Sequence, residues 1–289
     1  MTVKSIGWQC PACRINLAGE AELRCSKCNK SMVRNGRVLD FSELAPNLPL
    51  HIAAYLKQLY ETAGEVEPDI PFDWRINHAL KVITSKSGGG VCLEIGAGDG
   101  VMTSSLEKLF EQVYTLDWAL SYAKKVEAHT QKAICLVGDA QFLPFSNHCI
   151  DFVVCTEVLE HVLIPTQLLL EIRRVLTAEG LCYLTVPNSI MRVLSRMRPT
   201  EMSHNSHVNF FNPYGLQNLL FRMGFEVIEA HTILGPRSGL RGMLAKIRYI
   251  ARRRLTGMII ECLIKPLKDP WVFWKALEVS LGKSCKSEQ

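Results

Sequence analysis

The sequence predicts an α/β protein centred on a doubly wound, largely parallel sheet, and three observations carry that expectation. The stretch Val91-Cys-Leu-Glu-Ile-Gly-Ala-Gly-Asp-Gly100 opens as an apolar run, turns through three glycines and enters a helical pattern over 102–110. Further apolar runs follow near 113–117, 133–137, 150–155, 181–186 and 225–230, with helical patterns near 119–129, 166–176 and 213–223 between them. Such alternation calls for parallel strands with helices on both faces. Finally, the second run, Val113-Tyr-Thr-Leu-Asp117, ends in a carboxylate, and the third leads into Gly138-Asp139-Ala140.

Each element has a local reason. Val91 to Ile95 is apolar enough to be buried on both faces of a sheet. Gly96 and Gly98 supply a tight turn without a Cβ, so a ligand can approach the backbone closely. By itself such a turn also fits another nucleotide fold or a plain bend. Asp117 is placed to accept from vicinal ribose hydroxyls. Pro187 and Asn188 end the fifth run, Asn212-Pro213 signals a helix start, and Gly224 suits the cap after that helix.

Ahead of this core, Cys10-Pro-Ala-Cys13 and Cys25-Ser-Lys-Cys28 are separated by eleven residues, the ligand set of a zinc ribbon over 1–40. Four thiolates complete a tetrahedron with no open position, so the expected role is structural. Too few apolar residues surround them to fold unaided, so metal would supply the folding energy. Residues 41–87 read as a helical lid or linker, with helices at 49–62 and 72–84. Trp74, Arg75 and His78 are either cleft residues or ordinary packing there.

Composition bounds the rest. The chain has 289 residues, 48% apolar and 21% charged, as in ordinary globular proteins. No secretory leader pattern opens it, and no apolar run approaches the roughly 20 residues that cross a bilayer. Its 11 cysteines are an odd number, several of them in apolar runs, which points to a reducing cytoplasm. Residues 231–289 hold 12 basic and 4 acidic residues, leaving 21 and 24 for the remainder, so the basic surplus sits in the tail. Within residues 236–289, Leu240 to Met258 shows an apolar stripe at helical spacing with arginines mostly off it. This stretch either lies on an anionic membrane face or packs on the body with a solvated basic side.

The set of Glu94, the glycine turn, Asp117, Gly138-Asp139-Ala140 and the strand ending at Glu157 resembles the class I S-adenosylmethionine-dependent methyltransferases over residues 88–235. That resemblance implies a Rossmann-like sheet, with the cofactor held by Glu94, Gly96, Ala97, Gly98, Asp117, Trp118, Asp139, Ala140 and Glu157. Trp118 and Phe142 would flank the adenine. Glu157-Val-Leu-Glu160-His161 narrows the likeness to quinol and small-RNA O-methyltransferases that use Mg²⁺. On one helical turn Glu157, Glu160 and His161 would share a face and bind the cation. Alternatively, His161 acts as a base on the acceptor. His207 in His204-Asn-Ser-His207-Val-Asn-Phe-Phe211 resembles a segment of small-molecule and glycan methyltransferases and would face the acceptor too, with Phe210 and Phe211 packing.

The expected activity is therefore methyl transfer to an oxygen of a small acceptor, lipid-linked or glycan in type. The alternative is an rRNA or tRNA methyltransferase that grips RNA through ribbon and tail. A non-catalytic cofactor-binding scaffold is a third possibility. The expected location is the cytoplasm, with peripheral contact at the inner membrane face through the tail.

Overall fold

In the computed structural model, which describes residues 6–19, 22–44, 72–189, 207–233 and 259–267, these segments share one nine-stranded sheet. A hairpin of β1 (Val33–Asn35) and β2 (Val38–Asp40) comes first. Helix α1 (Phe72–Lys86) precedes β3 (Val91–Ile95), α2 (Thr103–Leu106), β4 (Gln112–Asp117), α3 (Leu120–His129) and β5 (Ile134–Val137). The chain continues through β6 (Ile150–Thr156), α4 (Pro165–Val175), β7 (Leu176–Pro187), α5 (Pro213–Arg222), β8 (Phe225–Ile233) and β9 (Ile259–Pro266).

Strand order across the sheet is β1-β2-β5-β4-β3-β6-β7-β9-β8. From β2 to β7 neighbours run parallel, whereas β9 lies antiparallel between β7 and β8. Adjacent strands β3 and β6 send their connections toward opposite edges, so a crevice opens at their carboxyl ends, where ligands bind in such sheets. All five residues of β3 are buried. Leu93 and Ile95 face one layer of the core with Leu168, Ile172 and Phe145, while Cys92 faces the other with Ile83, Leu106 and Phe152. Each such side chain, fully withdrawn from water, contributes about 1.5–3 kcal/mol before conformational entropy is subtracted.

Local chemistry explains most boundaries. Pro165 opens α4 and Pro213 opens α5, where the Asn212 side chain accepts from the Gly215 amide at 2.9 Å. Gly224, at φ +82°, follows α5 as the expected cap. Two expectations are corrected. The helix over 102–110 shortens to α2, because the amides of Lys108 and Leu109 reach three residues back, not four. Glu107 meanwhile turns its carboxylate onto the amides of Gln131, Lys132 and Ala133.

The domain boundary expected at 235 also falls one strand early. Ile259–Ile264 is buried throughout and completes the sheet, so it shows no alternation of apolar and polar residues to mark it. The helices expected at 49–62 and over 240–258 lie outside the described residues, as does His204. Among the described residues no helix is long and apolar enough to cross a membrane.

The cysteine-bearing segment is continuous with this sheet. Strand β2 pairs in parallel with β5, Leu39 opposite Leu136. Trp8 stacks on Phe145 at 5.3 Å and meets Phe41 at 5.4 Å and Tyr114 at 5.8 Å. Arg37 donates to the carbonyls of Glu127 in the last turn of α3 and of Thr130 and Ala133 beyond it.

Candidate active site

Three glycines after β3 serve three different ends. A Cβ on Gly96 would meet Val158 at 2.4 Å, and one on Gly100 would meet the Val126 backbone of α3 at 3.1 Å. At Gly98, φ +53°, an added Cβ meets nothing within 4 Å, so this backbone faces open space at the carboxyl edge. The Gly98 amide donates to Asp117 Oδ2 at 3.4 Å, and Ala119 donates to Oδ1 at 3.1 Å. The end of β4 and the glycine turn therefore meet at one point. Ala97, within that turn, is buried.

Glu94 is 2% exposed within β3 and accepts from Thr103 Oγ1 at 2.6 Å. Burial, with the charge of Asp117 adding to it, pushes its carboxyl up to about 7 despite the Thr103 bond. Burial also raises the Asp117 carboxyl, against the amide bonds it accepts. Two acids thus flank the glycine turn where a cation would relieve both.

At the end of β5, Asp139 Oδ1 accepts from the Gln141 amide at 2.8 Å and from its side chain at 3.1 Å. Gln141 in turn accepts from the Ile164 amide at 2.9 Å, so it braces Asp139 against the segment before α4. Ala140 is buried beside it, and burial raises the Asp139 carboxyl. Trp118 is half-buried next to Asp117. Phe142 carries the Arg14 guanidinium 6.0 Å from its ring centroid, so one of its faces is taken by the cysteine-bearing segment.

The carboxyl end of β6 departs from expectation. Residues 157–164 are turns, with Glu157 at φ +56°, so Glu157, Glu160 and His161 do not share a helical face. Glu157 accepts from Thr185 Oγ1 at 3.1 Å and lies 3.6 Å from Arg75 Nη1 of α1. Gathered instead are Glu160, His161 and His207, whose ligand atoms all fall within 4.8 Å. Glu160 is 1% exposed, and the two imidazoles meet edge to face at 4.7 Å. The loop holding His207 is fixed there because Val208 and Asn209 donate their amides to the Glu160 carbonyl, and Asn209 Nδ2 donates to the Val162 carbonyl. Phe211 packs as expected, but Phe210 is exposed.

Sequence reasoning missed the partners more than the principals. Thr103 and Gln141 had no signal beyond lying close in sequence to Glu94 and Asp139. Behind Glu157 lies a second polar group: His78 Nε2 is 2.8 Å from Glu261 Oε2, which accepts from Tyr183 at 2.6 Å. The neighbouring Glu261 carboxylate raises His78, and His78 together with Tyr183 holds Glu261 low against its burial. Trp74 stacks on His78 at 5.5 Å. These α1 residues thus join the sheet and the end of β6.

Cys10, Cys13, Cys25 and Cys28 also come together, their sulfurs within 4.8 Å of one another. The two pairs are built alike. Arg14 and Asn29, each at φ +61°, donate their amides to the carbonyls of Cys10 and Cys25, and the Cys13 and Cys28 amides donate to the Cys10 and Cys25 sulfurs. Against burial, amide donors from Cys28 and Lys27 bring the Cys25 thiol down to about 6. Such paired knuckles fit a four-thiolate cation site of the zinc type.

Residues 93–184 match the family described as methyltransferase domain. The chain is 28% identical over 145 residues to a Mycolicibacterium smegmatis protein described as an S-adenosylmethionine-dependent methyltransferase, covering 50% of this chain and 55% of that one. It is 31% identical over 122 residues to the biotin biosynthesis bifunctional protein BioHC of Cellvibrio japonicus, covering 41% and 24%. The chain thus spans from about a quarter to about half the length of these curated relatives. Among solved structures, a chain from the complex between the Haloferax volcanii Trm112 methyltransferase activator and a methyltransferase superposes with a TM-score of 0.56 at 20% identity, covering 76% of this chain and 96% of that one. A Bacillus halodurans methyltransferase gives 0.52 at 17% identity, covering 65% and 96%; at such identities the likeness speaks to the fold. With the wound strand order, the open glycine turn and the acid-ended second strand alongside these matches, residues 93–184 are similar to S-adenosylmethionine-dependent methyltransferases, and the sheet has the class I methyltransferase fold.

Proposed function

We propose that the protein methylates an oxygen of a small acceptor, lipid-linked or glycan in type, from S-adenosylmethionine, with His161 and His207 acting on the acceptor. The observation that carries this is the imidazole pair, 4.7 Å apart and backed by buried Glu160 at the carboxyl end of β6. When bound, the cofactor supplies a methyl group on a sulfonium sulfur. Gly96, Ala97 and Gly98 offer backbone to its methionine portion, Asp117 takes the ribose diol, and Asp139 with Ala140 takes the adenine edge. Negative charge on Glu94, and on Glu157 nearby, offsets the cation. His161 or His207 would take the proton of an acceptor hydroxyl held in line with that methyl group. Little covalent help is needed, so alignment within this rigid edge supplies much of the acceleration.

Two imidazoles and a carboxylate also form a donor set for a divalent cation at Glu160, His161 and His207. Mg²⁺ is the expected ion for an O-methyltransferase of this type, although two nitrogens favour Mn²⁺, Fe²⁺ or Zn²⁺. Such a cation would lower the acceptor hydroxyl pKa and orient its oxygens. The four cysteines would hold a structural zinc.

RNA is the alternative acceptor, and the ribbon's inward chemistry weighs against it. Trp8 is spent on Phe145 and Tyr114, and Arg14 and Arg37 are bonded to the body, which leaves no aromatic platform for bases on those residues. Turnover assays on candidate hydroxyl acceptors decide the matter. Steep salt-dependent RNA affinity with no activity on small hydroxyl compounds would replace this reading with the alternative.

A further inference from the structure

The knuckle formed by Cys10 and Cys13 reaches the adenine side of the cleft through one side chain. Arg14 follows Cys13 in a left-handed conformation, φ +61°, its amide bonded to the Cys10 carbonyl at 2.9 Å, so the knuckle fixes where its side chain starts. From there Nη1 donates to Glu171 Oε2 at 2.7 Å and to the Leu143 carbonyl at 3.4 Å, while the guanidinium covers Phe142. The same Glu171 oxygen, on a residue 3% exposed, accepts from the Leu143 amide at 2.8 Å. Residue 143 is thus held at its amide by Glu171 and at its carbonyl by Arg14 together with Arg174 Nη2, at 3.0 Å, so what Arg14 alone adds is its cover over Phe142 and its bond to Glu171. Leu143 directly follows the turn that begins at Asp139, which the Phe142 amide closes by donating to the Asp139 carbonyl at 2.9 Å.

We infer that Arg14 is a positioning residue for the cofactor: the folded knuckle sets Arg14, and Arg14 sets the 139–143 turn on which the adenine rests. This rests on the reading of Asp139 and Ala140 as the adenine-binding pair. Glu171 keeps a second cation, Arg174, bonded at 2.9 Å, so losing Arg14 loosens the turn without stranding a buried charge. A different arginine of the same segment supplies the control. Arg37 ties the hairpin to Thr130 and Ala133 and does not touch residues 139–143.

The test uses the full, metal-loaded chain and titrates S-adenosylmethionine by calorimetry into wild type, Arg14→Ala, Arg14→Lys and Arg37→Ala. Arg14→Ala is expected to bind about tenfold more weakly, the equivalent of one charge-assisted hydrogen bond. Its KM for the cofactor should rise in step while kcat at saturation stays within twofold. Arg37→Ala is expected to melt lower yet bind within twofold of wild type. Hydrogen exchange at residues 141–146 should quicken in Arg14→Ala only. Binding by Arg14→Ala within twofold of wild type overturns the inference, as does equal weakening by Arg37→Ala, which would mark general loosening. If Arg14→Ala does not fold, Arg14→Lys decides: it keeps the charge but not the fork, so unchanged affinity there also overturns the inference. Wild type that does not bind S-adenosylmethionine would instead overturn the assignment of the cleft.

Discussion

Replacing Glu94 with glutamine separates what a buried acid costs the fold from what it gives the cleft. Glu94 is fully enclosed in β3, and burial pushes its carboxyl from the ordinary 4.5 up to about 7. That difference corresponds to about 3 kcal/mol. The sign follows from proton linkage. The folded carboxyl holds its proton more tightly than the unfolded one, so the destabilisation is absent below pH 4.5, grows from there to about 7 and is complete above it. Glutamine carries no charge at any of these pH values, and its side-chain oxygen can still accept from Thr103 Oγ1. Glu94→Gln should therefore melt several degrees above wild type at pH 8, and the gap should close toward pH 5. Cofactor affinity should move the other way, falling roughly tenfold at pH 8 as the cationic ligand loses its counter-charge. Calorimetric melting from pH 5 to 8, with binding measured at the upper end, reads both. A melting difference that is flat across pH, or a less stable variant at pH 8, would refute the reasoning.

Further predictions follow from the same geometry. Gly98→Ala should cost only about 1–2 kcal/mol, the strain of a left-handed alanine at φ +53° with nothing within 4 Å of the new methyl, yet lose cofactor affinity, whereas Gly100→Ala should lower the melting temperature further because at φ +77° its methyl also meets the Val126 backbone. His161→Ala and His207→Ala should each cut turnover by about 10²–10⁴-fold in steady-state assays while binding S-adenosylmethionine within twofold of wild type; parallel loss of both would end the division of roles. Treatment with EDTA should abolish turnover and Mg²⁺ or Mn²⁺ should restore it if Glu160, His161 and His207 hold a cation, and indifference to both removes the metal. His78→Ala should lower the melting temperature more at pH 6 than at pH 9. The raised His78 contributes its attraction to Glu261 fully below its unfolded value of 6.5 and loses it as pH climbs through the folded one.

What was legible depended on whether a residue's task is set by its neighbours in the chain. Strands β3 to β6 were readable because burial on both faces demands near-continuous apolar runs, and the glycines between them mark turns in any context. Strand β9 meets the same demand, but it follows a long stretch with a helical stripe. Its one buried charged residue, Glu261, is partnered by Tyr183 and His78 from elsewhere in the chain. A carboxylate amid isoleucines argues against a core strand until those partners are known. The four cysteines, by contrast, were legible as a set, because each pair closes its own knuckle through bonds to residues three or four positions away.

The carboxyl end of β6 shows the limit of reading by spacing. Glu157, Glu160 and His161 have intervals that place three ligands together on a helix, yet the chain leaves β6 through a left-handed residue at Glu157 and never forms that turn. The consequence is a swap of partners. Glu157 turns to Thr185 and Arg75, and the third member of the cluster arrives as His207, carried on a loop anchored by two amides to the Glu160 carbonyl. Because that anchor uses backbone groups, side-chain identity at 208 hardly matters to it, and no residue pattern announces it. Histidine at 207 gains meaning only from where the loop lands. The same anchor makes the cluster stiff: Glu160 supplies both the carboxylate beneath the imidazoles and the carbonyl that holds the loop bearing one of them. A substitution such as Glu160→Gln keeps that carbonyl and removes only the charge. It should therefore leave the loop in place while weakening whatever proton or cation the two histidines share.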